Sequence, residues 1–128
     1  MTAVVPYLCA RDARAALDYY SKAFNATEDS RIEMEDGRLG HAEFSIGDAV
    51  FYLSDEYLEM GVASPQTLGG TPVALHLTIP NVDAVFEQAV AAGATALRPP
   101  ADQDYGLRSA VVVDPFGHRW FLASPLAQ

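Results

Sequence analysis

Hydrophobic positions along the chain pass from an alternating rhythm to a helical one and back, and then do so again. A first strand, Val4-Val5-Pro6-Tyr7-Leu8, precedes Asp12, a residue suited to capping a helix. From Ala13 to Phe24 the residues Ala16, Tyr19, Tyr20, Ala23 and Phe24 fall on one helical face, and Asn25 supplies a stop. Ala26 to Met34 has the composition of a polar edge strand, and Glu35-Asp36-Gly37 that of a turn.

Gly40 to Ile46 and Ala49 to Ser54 flank Gly47-Asp48, a two-residue connection with glycine first, as in a tight primed hairpin turn. Counting outward sets Ile46 opposite Ala49, Ser45 opposite Val50, Phe44 opposite Phe51, Glu43 opposite Tyr52, Ala42 opposite Leu53 and His41 opposite Ser54. One face then carries Ala42, Phe44, Ile46, Phe51 and Leu53, the apolar set expected to pack on helices. The other carries His41, Glu43, Ser45, Val50, Tyr52 and Ser54, a mixed set suited to lining a cavity.

The pattern repeats from Val73-Ala74-Leu75-His76-Leu77. Asn81 caps a second helix bearing Val82, Val85, Phe86, Ala89 and Val90, which ends at Gly93. Thr95 to Arg98 is a short strand broken by Pro99-Pro100, and Ala101 to Leu107 is a polar loop. Ser109 to Val113 pairs with His118 to Ala123 across Asp114-Pro115-Phe116-Gly117. The predicted fold class is α+β, one domain over residues 1–128 built from two βαβββ modules, about 1–56 and 71–126. Tyr57 to Pro72, rich in glycine and proline and without periodicity, links them. Modules of this size bury little alone, so any site is expected in the seam between them.

Composition narrows the classes of function. Seventeen acidic against eight basic residues give a formal charge of -9, which disfavours nucleic acid and anionic membrane surfaces. No apolar run reaches the roughly 20 residues that span a bilayer, and the amino terminus has no basic-then-apolar leader, so a cytoplasmic protein is expected. The one cysteine, Cys9, excludes an internal disulfide framework.

Several phrases are familiar in this order: Asp12, Asp18, Tyr19 and Tyr20 on the first helix, Gly40-His41-Ala42-Glu43, Leu68-Gly69-Gly70-Thr71-Pro72, Ala92-Gly93-Ala94, Tyr105-Gly106 with Arg108-Ser109, and Asp114-Pro115-Phe116-Gly117-His118-Arg119-Trp120. Together they resemble the vicinal oxygen chelate superfamily, which contains glyoxalase I, fosfomycin-resistance enzymes, extradiol dioxygenases and bleomycin-resistance proteins, and within it a small bacterial branch. The resemblance implies paired, curled mixed sheets forming cups, and a homodimer. Its metal enzymes draw histidine or glutamate ligands from the first and last strand of each module. By counting, those positions read Val5, Tyr52, His76 and Phe121, a degenerate set in which only His76 is a good ligand for a divalent cation.

The expected cavity wall comprises Val5, Tyr7, Cys9, Tyr52, His76, Thr78 and Phe121, with His41 and Glu43 further along. Tyr105 and Arg108 are candidates to grip a carboxylate or phosphonate, against the alternative of a surface ion pair. His118 is expected to be structural. Few charges among aromatic and hydroxyl groups suit a small organic molecule better than chelation. The leading expectation is a small-molecule-binding protein of glyoxalase and bleomycin-resistance type, without cofactor, sequestering an antibiotic or metabolite. The alternative is an enzyme, a lyase, isomerase or dioxygenase. It would use a non-standard metal site from His41, Glu43 and His76, or acid-base catalysis by His76 and Glu43. A scaffold with a vestigial pocket is the third.

Overall fold

A computed structural model describes residues 1–126. The order is β1 (Tyr7–Ala10), α1 (Ala13–Phe24), β2 (Thr27–Glu33), β3 (Leu39–Ile46) and β4 (Ala49–Asp55), then α2 (Pro65–Leu68), β5 (Ala74–Thr78), α3 (Val82–Ala92), β6 (Thr95–Asp102), β7 (Leu107–Val113) and β8 (Arg119–Pro125). Two mixed four-stranded sheets result, ordered β1-β4-β3-β2 and β5-β8-β7-β6, in an α+β fold. Neither sheet closes into a barrel.

The repeat is visible in backbone angles. Asp12 at φ -137, ψ 93 accepts a hydrogen bond from the Ala15 amide, and Asn81 at φ -138, ψ 92 does the same for Ala84. The hairpin pairs as counted from its turn, from Ile46 with Ala49 to Ala42 with Leu53, and Gly47 sits at φ 59. Its apolar face is buried throughout: Ala42, Phe44, Ile46, Phe51 and Leu53 all lie in the core.

Most boundaries differ from expectation by one or two residues, and three differences are larger. The first strand begins at Tyr7, so Val4 and Val5 precede it; β-branched composition suggested a strand, but parallel pairing with β4 starts only where Tyr7 meets Tyr52. Strand β6 continues through Pro99-Pro100, because it is an edge strand whose register shifts between Ala96 and Arg98 and again before Ala101. The linker is not shapeless: a 3₁₀ turn spans Leu58–Met60 and α2 follows. Glu56 fastens it by accepting both the amide and the hydroxyl of Ser64, at 2.8 and 2.7 Å.

The modules share one core. Trp120, fully buried, inserts from β8 into the first module's aromatic cluster, its ring 4.7 Å from Phe24 and 5.6 Å from both Tyr20 and Phe51. Side by side, α1 and α3 are tied by Tyr19 donating to the Ala89 carbonyl and Gln88 donating to the Lys22 carbonyl. Large aromatic rings thus occupy the seam where a site was expected.

Candidate functional site

With the seam filled, a half-open cavity of about 610 Å³ lies on the outer face of the first sheet. That volume is within the usual range for small-molecule sites, roughly 300–1,000 Å³. Its floor is Tyr7, Leu8 and Cys9 of β1 with Gly40, His41 and Ser54 of the hairpin. Ile32 and Met34 form one wall, and Tyr57, Met60 and Val62 of the linker form the other.

Tyr7 and His41 on the floor are engaged with each other, and His41 reaches Glu43 beyond it. The Tyr7 hydroxyl and His41 Nδ1 lie 2.7 Å apart in a hydrogen bond, and His41 Nε2 is 3.4 Å from Glu43 Oε2. The rings of Tyr7, His41 and Tyr52 meet edge to face, with centroids 4.9 to 5.5 Å apart. Burial, and after it the charge of Glu43, raise the Tyr7 phenol above its ordinary range, so it stays protonated at neutral pH. The Cys9 thiol is pushed up to about 11, first by burial and then by Glu56 and Asp55, which makes it a poor nucleophile.

Of the expected wall, the cavity gathers Tyr7, Cys9 and His41. Val5 precedes the strand, and the residue that stands to Tyr52 as His76 stands to Phe121 is Tyr7. Counting back from the two caps gives the same pairing, five residues before Asp12 and before Asn81. Tyr52 and Glu43 sit further along the same sheet, outside the lining. His76, Thr78 and Phe121 belong to the second sheet and likewise lie outside it, His76 and Thr78 being exposed. Arg108 pairs with Asp83 and Asp102, each at 3.0 Å, and Tyr105 is exposed on the preceding turn. His118 donates to the Cys9 carbonyl at 2.9 Å, joining the two modules.

The four equivalent strand positions are therefore Tyr7, Tyr52, His76 and Phe121, divided between two sheets. Among the described residues, no three histidine, cysteine, aspartate or glutamate side chains converge as metal ligands, so His41, Glu43 and His76 do not form a trio within the chain. These residues do not fit the divalent cation of the superfamily's metal enzymes.

Sequence reasoning missed Leu8, Ile32, Met34, Gly40, Tyr57, Met60 and Val62. The available signal was the apolar content of Tyr57 to Val62, where Tyr57, Leu58, Met60 and Val62 interrupt an otherwise polar linker.

A family model described as Glyoxalase/Bleomycin resistance protein/Dioxygenase superfamily matches residues 2–122. The chain belongs to this superfamily. An uncharacterised Mycobacterium tuberculosis protein is 43% identical over 129 residues, covering 98% of this chain and 76% of its own length. Solved structures share the fold. TioX from Micromonospora sp. ML1 is 24% identical, with a TM-score of 0.75 over 99% of this chain and 98% of its own. A Pseudomonas aeruginosa protein reaches 0.78 at 18% identity over 98% of each chain. No described helix of this superfamily member is long and apolar enough to cross a membrane.

Proposed function

We propose that the protein binds a small, largely apolar organic molecule in the first-sheet cavity, holding it rather than transforming it, and so sequesters an antibiotic or metabolite in the cytoplasm. The supporting observation is the cavity itself, about 610 Å³ and walled by Ile32, Met34, Met60, Val62 and aromatic rings. Thioethers and aromatic edges adapt to flat hydrophobic ligands. A homodimer belongs to the same proposal: Ile32, Met34 and Met60 expose apolar surface at the rim, which a second copy would cover. The binding proposed here uses no divalent metal, a reading supported by the described residues of the chain, among which no three candidate ligands converge.

The test is a fluorescence titration with Nile red, a neutral solvatochromic probe, followed by competition with aromatic antibiotics. Saturable one-to-one binding should be accompanied by a melting temperature that rises as RT ln(1 + [L]/Kd) predicts. A protein that neither binds the probe nor shifts its melting temperature with any competitor contradicts the proposal.

One observation favours a second reading, that of an enzyme. The line from Tyr7 through His41 to Glu43 is an acid-base chain with its protonated end at the cavity floor. Mass spectrometry of ligand recovered from the complex separates the readings. Unchanged ligand supports sequestration, and conversion by the wild type but not by His41→Ala supports catalysis.

A further inference from the structure

We infer that Tyr57 is the polar anchor of the cavity, donating a hydrogen bond from its hydroxyl to a carbonyl-type oxygen carried on a planar aromatic ligand. This rests on the cavity being a ligand site, as proposed above.

Buried hydroxyls elsewhere are matched: Tyr20 donates to Asp114, Tyr19 to the Ala89 carbonyl, Ser54 to the Asp55 carbonyl and Ser64 to Glu56. Tyr57 Oη is the exception, the one buried side-chain nitrogen or oxygen among the described residues with no partner. An unmatched buried hydroxyl is costly, and its persistence in an otherwise satisfied structure points to a group supplied from outside. The hydroxyl belongs to a residue that lines the cavity.

Tyr57 is also held in place. Its amide donates to the Val62 carbonyl at 2.9 Å, and the Val62 amide donates back at 3.0 Å. The Arg38 guanidinium lies 3.8 Å from the centre of its ring. Arg38 is fixed in turn by Asp36, by Glu59 and by the Glu56 carbonyl. A cation over the ring draws density from the phenol, so the hydroxyl is better suited to give a hydrogen bond than to receive one.

The hydroxyl is closed off from solvent, and the flexible Met34 thioether packs close to Gly40 beside it, so an incoming oxygen reaches the hydroxyl as Met34 swings aside. A Cβ at Gly40 would stand 3.5 Å from Tyr57 Oη and 2.9 Å from the Met34 sulfur. The other polar pair on the floor, Tyr7 and His41, is already mutually bonded. An occupant that displaces Met34 therefore meets one unengaged hydroxyl, set among the Met34 and Met60 thioethers and the Tyr7 ring. That arrangement selects a flat apolar frame bearing an acceptor oxygen, a ketone, quinone or amide.

The experiment compares 2-acetylnaphthalene with 2-ethylnaphthalene, near-isosteres that differ in the carbonyl, on the wild type and on Tyr57→Phe. The wild type should prefer the ketone by about tenfold, the difference that one matched hydrogen bond makes. In Tyr57→Phe the preference should vanish, with affinity for the ethyl compound unchanged and the melting temperature of the free protein equal or higher. A preference that survives in Tyr57→Phe, or is absent from the wild type, overturns the inference while leaving the cavity a ligand site. So does a lower melting temperature in free Tyr57→Phe, since the hydroxyl would then be bonded before any ligand arrives. Failure of both compounds to bind the wild type removes the ligand site itself, and the anchor with it.

Discussion

Tyr20 on the first helix donates a 2.6 Å hydrogen bond to Asp114, 94 positions further along the chain, in the centre of the shared core. The same carboxylate oxygen accepts from Trp120 Nε1 at 2.9 Å, and the other accepts the amides of Phe116 and His118. One buried aspartate thus holds the last turn in shape and joins the two modules. Asp114→Asn would point an amide NH₂ at one of these sets of donors, and about 3 kcal/mol of stability should be lost; Tyr20→Phe should cost about 1–2 kcal/mol. Urea denaturation of both single variants and the double variant should show costs that do not add, because the two changes act on one hydrogen-bond network.

Alkaline pH should destabilise the fold early. Burial raises the phenols of Tyr19 and Tyr20, with Asp114 adding to both, and the thiol of Cys9 is at about 11. These groups keep their protons in the folded chain after the unfolded chain has begun to release them. Their stabilisation is complete below the ordinary thiol and phenol values, about 8.5 to 10, and is lost as pH rises beyond them. Denaturation midpoints should hold to about pH 8 and fall toward pH 11. Alkylation of Cys9 by iodoacetamide should accelerate through about pH 11 rather than through the ordinary thiol range.

Gly117 sits at φ +93, and a Cβ there would meet the Pro65 Cβ at 2.8 Å. Gly117→Ala combines backbone strain with a collision between the last turn and α2. The expected cost is about 2 kcal/mol, read as a fall in melting temperature of roughly 6–10 °C.

Met34 lines the cavity yet is 46% exposed, so a charge there is compatible with folding. Met34→Glu places a carboxylate on the apolar wall. Nile red affinity should drop by about tenfold while the melting temperature of the free protein changes by less than about 2 °C. Equal loss of binding and stability would mean that Met34 serves the fold rather than the ligand.

Local chemistry made much of the architecture legible in advance. Gly47-Asp48 dictated the hairpin register, and Asp12 and Asn81 marked both helix starts, because turns and caps are decided within a few residues. Position in the sheet was less accessible. Val5 and Tyr7 alternate alike along the chain, and only parallel pairing with β4 makes Tyr7 the partner of Tyr52. The cavity was least legible, since it depends on Trp120 filling the seam and on the linker folding back so that Tyr57 and Met60 face β1. Both are long-range packing events that no local pattern encodes.

Arg38 gives the cavity a dependence on ionic strength that the core does not share. Its contacts with Asp36 and Glu59, both at 2.7 Å, lie at the surface, behind the ring that they help to hold. In concentrated salt, where screening acts over about 3 Å, such pairs weaken while the aromatic contacts around Trp120 do not. Dissolved ions can therefore loosen the cavity wall without loosening the fold, and the shape of the cavity becomes a property of the medium as well as of the chain.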